Sequence, residues 1–86
     1  MLKRGDILRN TWTGRYEVVR RVSSCLALPD HYLVTTFKVR KDGISWGRDK
    51  LYVLTDSLKY PGCDLPWRCE LIPAGKEPST LAHWRR

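Results

Sequence analysis

Between Lys38 and Lys50 the chain sets five cations, Lys38, Arg40, Lys41, Arg48 and Lys50, within 13 residues, with Trp46 among them and Tyr52 just beyond. Cations spaced in this way meet phosphates, and exposed rings stack on unpaired bases, so the run predicts a surface for nucleic acid, DNA or RNA. On a strand over residues 32–41, Thr36, Lys38 and Arg40 share one parity and are expected to face solvent together. Arg15, Arg20 and Arg21 extend the stripe from the preceding strand if the sheet follows chain order. The competing explanation is a solvated sheet face whose lysines and arginines keep a small protein soluble, with Asp42 and Asp49 diluting the charge.

Two other patterns could do chemistry. Cys25 and His31 lie six apart, as do Cys63 and Cys69. Zinc accepts such atoms, but structural zinc sites hold their cysteines about two to four residues apart, so no metal or other cofactor is expected. Cys25 and Cys69 read instead as small buried hydrophobes and Cys63 as a loop residue. Cys25 with His31 has the atoms of a nucleophile and base, and His83 stands in the tail. The chain has no Gly-x-Ser-x-Gly elbow, phosphate loop or His-Glu-x-x-His motif, so no catalytic residue is assigned and a non-enzymatic protein is expected.

Trp12, Trp46, Trp67 and Trp84 are many for so short a chain. Exposed tryptophan beside arginine is the composition of a protein-binding hot spot. Trp12 in a turn and Trp84 beside His83, Arg85 and Arg86 are the two expected at the surface, as anchors for an acidic host protein. The plainer reading is packing, with Trp46 and Trp67 over the core and Trp84 clamping the C-terminus.

The elements that must position these residues are bounded by size. The chain has 86 residues with 16 Lys and Arg against 9 Asp and Glu, a net charge of +7. That makes one domain, residues 1–73, followed by a tail over 74–86. A fold of this size hides roughly 60–65% of its unfolded surface, which leaves no room for a deep enclosed active site. Lys3, Arg4 and Asp6 at the start predict no export signal, and no apolar run approaches the roughly 20 residues that span a bilayer. No membrane partner is expected on that ground, and three cysteines, an odd set, point to a reducing cytoplasm.

Gly5 and Asp6 introduce Ile7, Leu8 and Arg9 as a short strand, and Asn10 to Gly14 supply turn chemistry. Over residues 15–22, Tyr16, Val18 and Val22 share one parity and Arg15, Glu17 and Arg21 the other; Val19 and Arg20 break the alternation, as a bulge would. Residues 23–31 read as a loop with some burial. Residues 32–41 are the strongest strand, with Leu33, Phe37 and Val39 on its inner face. Asp42 and Gly43 predict a two-residue type I′ turn, and the hairpin returns through Ile44 and Trp46. Gly47 marks a bulge or a close backbone approach before Leu51 to Leu54 resume a strand. Pro61, Gly62 and Pro66 make residues 55–66 a loop, and 67–72 form a last strand ended by Pro73. The tail is read either as a helical turn opened by Ser79 or as an unstructured end.

Five short strands in this order predict an all-β fold, a small five-stranded closed barrel, because an open sheet of this length exposes its edges. Residues 3–22, with Lys-Arg-Gly-Asp-Ile-Leu-Arg and then Thr-Gly-Arg-Tyr-Glu-Val-Val, resemble the opening of small SH3-like barrel proteins of bacterial accessory and phage genomes. The resemblance covers about a quarter of the chain. It implies a binding module and does not choose a ligand, since such barrels bind peptides, RNA or DNA and also serve as inhibitors. The expectation is a basic module contacting nucleic acid through the sheet face that bears Lys38, Arg40, Lys41, Trp46, Arg48, Lys50 and Tyr52. The alternative is a protein-binding inhibitor or regulator of phage or mobile-element type, docking on a host complex.

Overall fold

The computed structural model describes residues 2–11, 13–24, 31–55 and 69–85, with the side chains of Tyr52 and Thr55 outside that description. Five strands appear in these residues: β1 (Ile7–Asn10), β2 (Tyr16–Ser24), β3 (His31–Val39), β4 (Ser45–Thr55) and β5 (Cys69–Ile72). A 3-10 helix over Ser79–Arg85 follows. The strands make one sheet in the order β4-β3-β2-β1-β5, antiparallel at every pairing. The all-β expectation holds.

Among the described residues the sheet is open, with β4 and β5 at its edges, and the expected closure into a barrel is not formed. Consecutive apolar pairs give a physical reason. Ile7 and Leu8 are adjacent and both buried, as are Val18 and Val19, so each pair sends one side chain to each face of the sheet. A barrel interior covers one face only. Here Leu8, Val19, Val34, Leu54, Cys69 and Leu2 form one core, while Ile7, Val18, Phe37, Val39, Ile72 and Leu81 form another. Leu81 of the 3-10 helix is fully buried, and Trp84 packs its ring edge-on to Phe37 at 4.9 Å. The tail is therefore helical over Ser79–Arg85 and supplies the second layer.

The broken alternation in β2 is a bulge: Val19 faces Thr36 and Arg21 faces Thr35, which leaves Arg20 as the extra residue. It flips the parity beyond it. Tyr16 and Val18 pack with Phe37 and Val39, but Val22 crosses to the other face and packs with Val19 and Val34. The grouping of Val22 with Tyr16 and Val18 is corrected accordingly. A second irregularity lies between β3 and β4, where Thr36 faces Lys50 and Lys38 faces Trp46. Two β3 steps there oppose four on β4, so β4 bulges through Gly47 and runs unbroken from Ser45 to Thr55.

The Asp42–Gly43 hairpin is present, but its loop has three residues. Arg40 pairs its amide with the Ile44 carbonyl, the Gly43 amide donates to the Arg40 carbonyl, and Asp42 Oδ1 accepts from the Ile44 amide. Gly43 holds φ at 88°, the left-handed residue that such a three-residue loop requires.

Candidate functional site

Two turns meet at one end of the sheet, because Tyr16 pairs with both Arg9 and Val39, and Val39 with Ser45. The β1–β2 turn is held from within. Asn10 accepts the Gly14 amide at its carbonyl and the Thr13 amide at Oδ1, and the Thr13 hydroxyl accepts the Arg15 amide. Residues just before and after each turn are thereby fixed in direction. Arg9 and Arg15 flank one turn, and Arg40 and Lys41 open the other.

These four cations line a single cleft of about 560 Å³, together with Tyr16 and Trp46. Arg9 shares its charge with Glu70 across the β1–β5 edge, at 3.8 Å between exposed groups, where such a pair contributes little. Trp46 is half-buried, and two cations lie over its ring: the Lys38 ammonium at 4.5 Å and the Arg15 guanidinium at 5.7 Å from the centroid. A ring so placed offers a flat apolar wall inside a positive field.

Beside the cleft, and sharing Thr13 and Arg15 with it, is a depression of about 70 Å³ walled by Asn10, Lys38 and Lys50 and floored by Glu17. Glu17 is almost fully buried and its Oε1 accepts the Thr36 hydroxyl at 2.6 Å. The Lys38 ammonium is held below the ordinary lysine value, first by its partial burial, then by Lys50 and Arg15 nearby, with Glu17 pulling the other way. Three cations around one carboxylate leave the depression positive.

The sequence reading of this face needs correcting. Thr36 was expected in solvent with Lys38 and Arg40; it is fully buried, Lys38 is half-buried, and Arg40 alone of the three is exposed. The Thr36 hydroxyl donates to the buried Glu17, which shares the depression with Lys38 and Lys50. Of the other expected residues, Lys41 and Trp46 join the cleft and Lys50 the depression, while Arg48 is exposed on the bulged stretch of β4 and lines neither. The Tyr52 backbone pairs with Val34, and its side chain lies outside the described residues. Arg20 leaves the stripe, joined to Asp49 at 2.8 Å with its guanidinium over the Phe37 ring at 4.6 Å. Trp84 is half-buried, with its Nε1 donating to the Gly43 carbonyl, which is the clamping role; Trp12 lies outside the described residues.

Arg9, Tyr16, Asn10, Thr13 and Glu17 were not among the expected site residues. A signal for the first was available, since cations on both sides of one short turn must end up together. Cys69 is buried, and Cys25 and Cys63 lie outside the described residues. No helix among the described residues is long and apolar enough to cross a membrane. Compared with known protein families, curated proteins and solved structures, the chain matches none.

Proposed function

We propose that this protein is a non-enzymatic module that binds nucleic acid in the cleft between its β1–β2 and β3–β4 turns. One observation carries the reading: Arg9, Arg15, Arg40 and Lys41, from separate turns and strand ends, line one cleft with Tyr16 and Trp46. Cations supply counterion release at the phosphates, and the rings supply a stacking wall for bases. The net charge of +7 adds long-range attraction for a polyanion. The SH3-like reading of the fold belongs to the same proposal, supported by β1 lying between β2 and β5 and by the bulge that bends β2.

A protein-docking module anchored on Trp84 draws less support, because its ring and Nε1 are engaged within the chain. The test is a two-dimensional NMR titration of the labelled protein with duplex DNA, single-stranded DNA and RNA at low and at physiological salt. Shifts centred on residues 9, 13–16 and 38–50 that weaken steeply with salt are expected. Absence of shifts with all three ligands overturns the reading and leaves a protein partner.

A further inference from the structure

The depression beside the cleft is small, and three of its six lining residues are cations. At about 70 Å³ it is about an eighth of the adjoining cleft. A tetrahedral oxyanion suits a small space lined by cations. Its walls offer donors of the matching kind: the Asn10 amide, the Thr13 hydroxyl, the Arg15 guanidinium and the ammonium groups of Lys38 and Lys50. Its floor is closed by the buried Glu17, which is fixed through the Thr36 hydroxyl.

Resting on the nucleic-acid reading above, we propose that this depression receives a terminal phosphomonoester, so that the protein binds the phosphorylated end of a strand. An internal phosphodiester carries one charge. A monoester carries about −1.5 to −2 charges at neutral pH. The depression matches the higher charge. Its three cations exceed its one carboxylate, and it shares Thr13 and Arg15 with the adjoining cleft, where the rest of the terminal nucleotide has Trp46 and Tyr16 to lie against. The lowered proton affinity of Lys38, caused by burial and by the cations beside it, is what a dianion relieves on arrival.

The experiment is calorimetric titration of the intact chain with dodecamers of thymidylate and of uridylate, each with hydroxyls at both ends, with a 5′-phosphate, or with a 3′-phosphate. One phosphorylated end is expected to bind about tenfold tighter or more than the hydroxyl-ended strand at equal ionic strength, since charge-assisted hydrogen bonds are gained. Lys50→Gln and Lys38→Met are expected to bring the two strands to the same affinity. Lys50 is exposed, so its variant folds even if the Lys38 variant does not. Equal affinity for all ends overturns the proposal and leaves nucleic-acid binding standing. A preference that persists in folded Lys50→Gln also overturns it, by placing the phosphate elsewhere. Failure of every strand to bind overturns this proposal, and the duplex arm of the titration above then decides the nucleic-acid reading.

Discussion

Trp84 donates its indole Nε1 hydrogen to the Gly43 carbonyl at 2.9 Å, a contact between residues 41 positions apart in the chain. The Thr80 hydroxyl likewise bonds the Lys41 carbonyl, so the C-terminal 3-10 helix grips the hairpin turn from which Arg40 and Lys41 reach the cleft. The position of two site cations thus depends on the chain end, although neither Thr80 nor Trp84 lines the cleft.

Gly43→Ala tests the grip directly. A Cβ at this position would stand 2.1 Å from the Thr80 carbonyl oxygen and 3.1 Å from His83 Cε1, on a backbone with φ of +88°. The left-handed strain costs about 1–2 kcal/mol and the overpacking about as much again, so a loss of roughly 2–4 kcal/mol in urea unfolding is expected. Gly47→Ala has the strain without the clash, since nothing lies within 4 Å of its Cβ. It should cost about half as much. Equal costs at the two positions would show that the helix does not rest on the turn.

How much of this was legible in the sequence depends on which interactions are local. The hairpin, the turn glycines and the β2 bulge follow from residues a few positions apart, and all three are where alternation and turn chemistry put them. The bulge is legible at Val19 and Arg20, and with it the shift that one extra residue imposes, which moves Val22 to the other face. Period-two reading also takes a charged or hydroxyl side chain as outward, and so missed Glu17 and Thr36. Their burial needs Arg15, Lys38 and Lys50 around the carboxylate, an arrangement made by three strands and a turn. The open sheet has the same kind of origin, since the second core exists only once Leu81 and Trp84 fold back over Phe37.

Thr36→Val removes the hydroxyl that Glu17 Oε1 accepts while keeping the shape of the side chain. Loss of a hydrogen bond to a buried charged acceptor costs about 1.5–3 kcal/mol. The same loss is expected by urea unfolding at neutral pH. Thr35→Val, on the neighbouring and half-buried position, serves as the control and should stay within about 0.5 kcal/mol. A silent Thr36→Val would mean that the Glu17–Thr36 bond does not hold the floor of the site.

Arg40→Ala with Lys41→Ala removes two cations from the cleft at exposed positions, so the fold should be kept. Each phosphate contact on a single strand contributes about 0.7 to the slope of log affinity against log salt, so the double variant should be shallower by about 1.4. Binding should weaken by similar factors for strands of unrelated sequence, because the lost contacts are to the backbone. Fluorescence titration over a range of salt concentrations reads both. An unchanged slope removes these two residues from the interface.

Acid should release the helix that grips the turn. The Glu77 carboxyl is held below its ordinary value of 4.5, first by a hydrogen bond to its own backbone, then by the charge of Arg85, against an opposing push from desolvation. Arg85 Nε lies 2.9 Å from Glu77 Oε1, and the Arg85 guanidinium also bonds the Ile72 carbonyl, which joins the helix end to β5. A carboxyl whose folded value is depressed stabilises the fold fully above its unfolded value, and that stabilisation is lost as pH falls through the folded one. The loss therefore begins near pH 4.5 and deepens below it. Urea midpoints measured downward from about pH 6 should fall more steeply for the native chain than for Glu77→Gln. The variant should be the less stable of the two at pH 6 and should approach the native chain in acid. Parallel pH profiles would show that the Glu77–Arg85 pair does not bind the helix to the sheet.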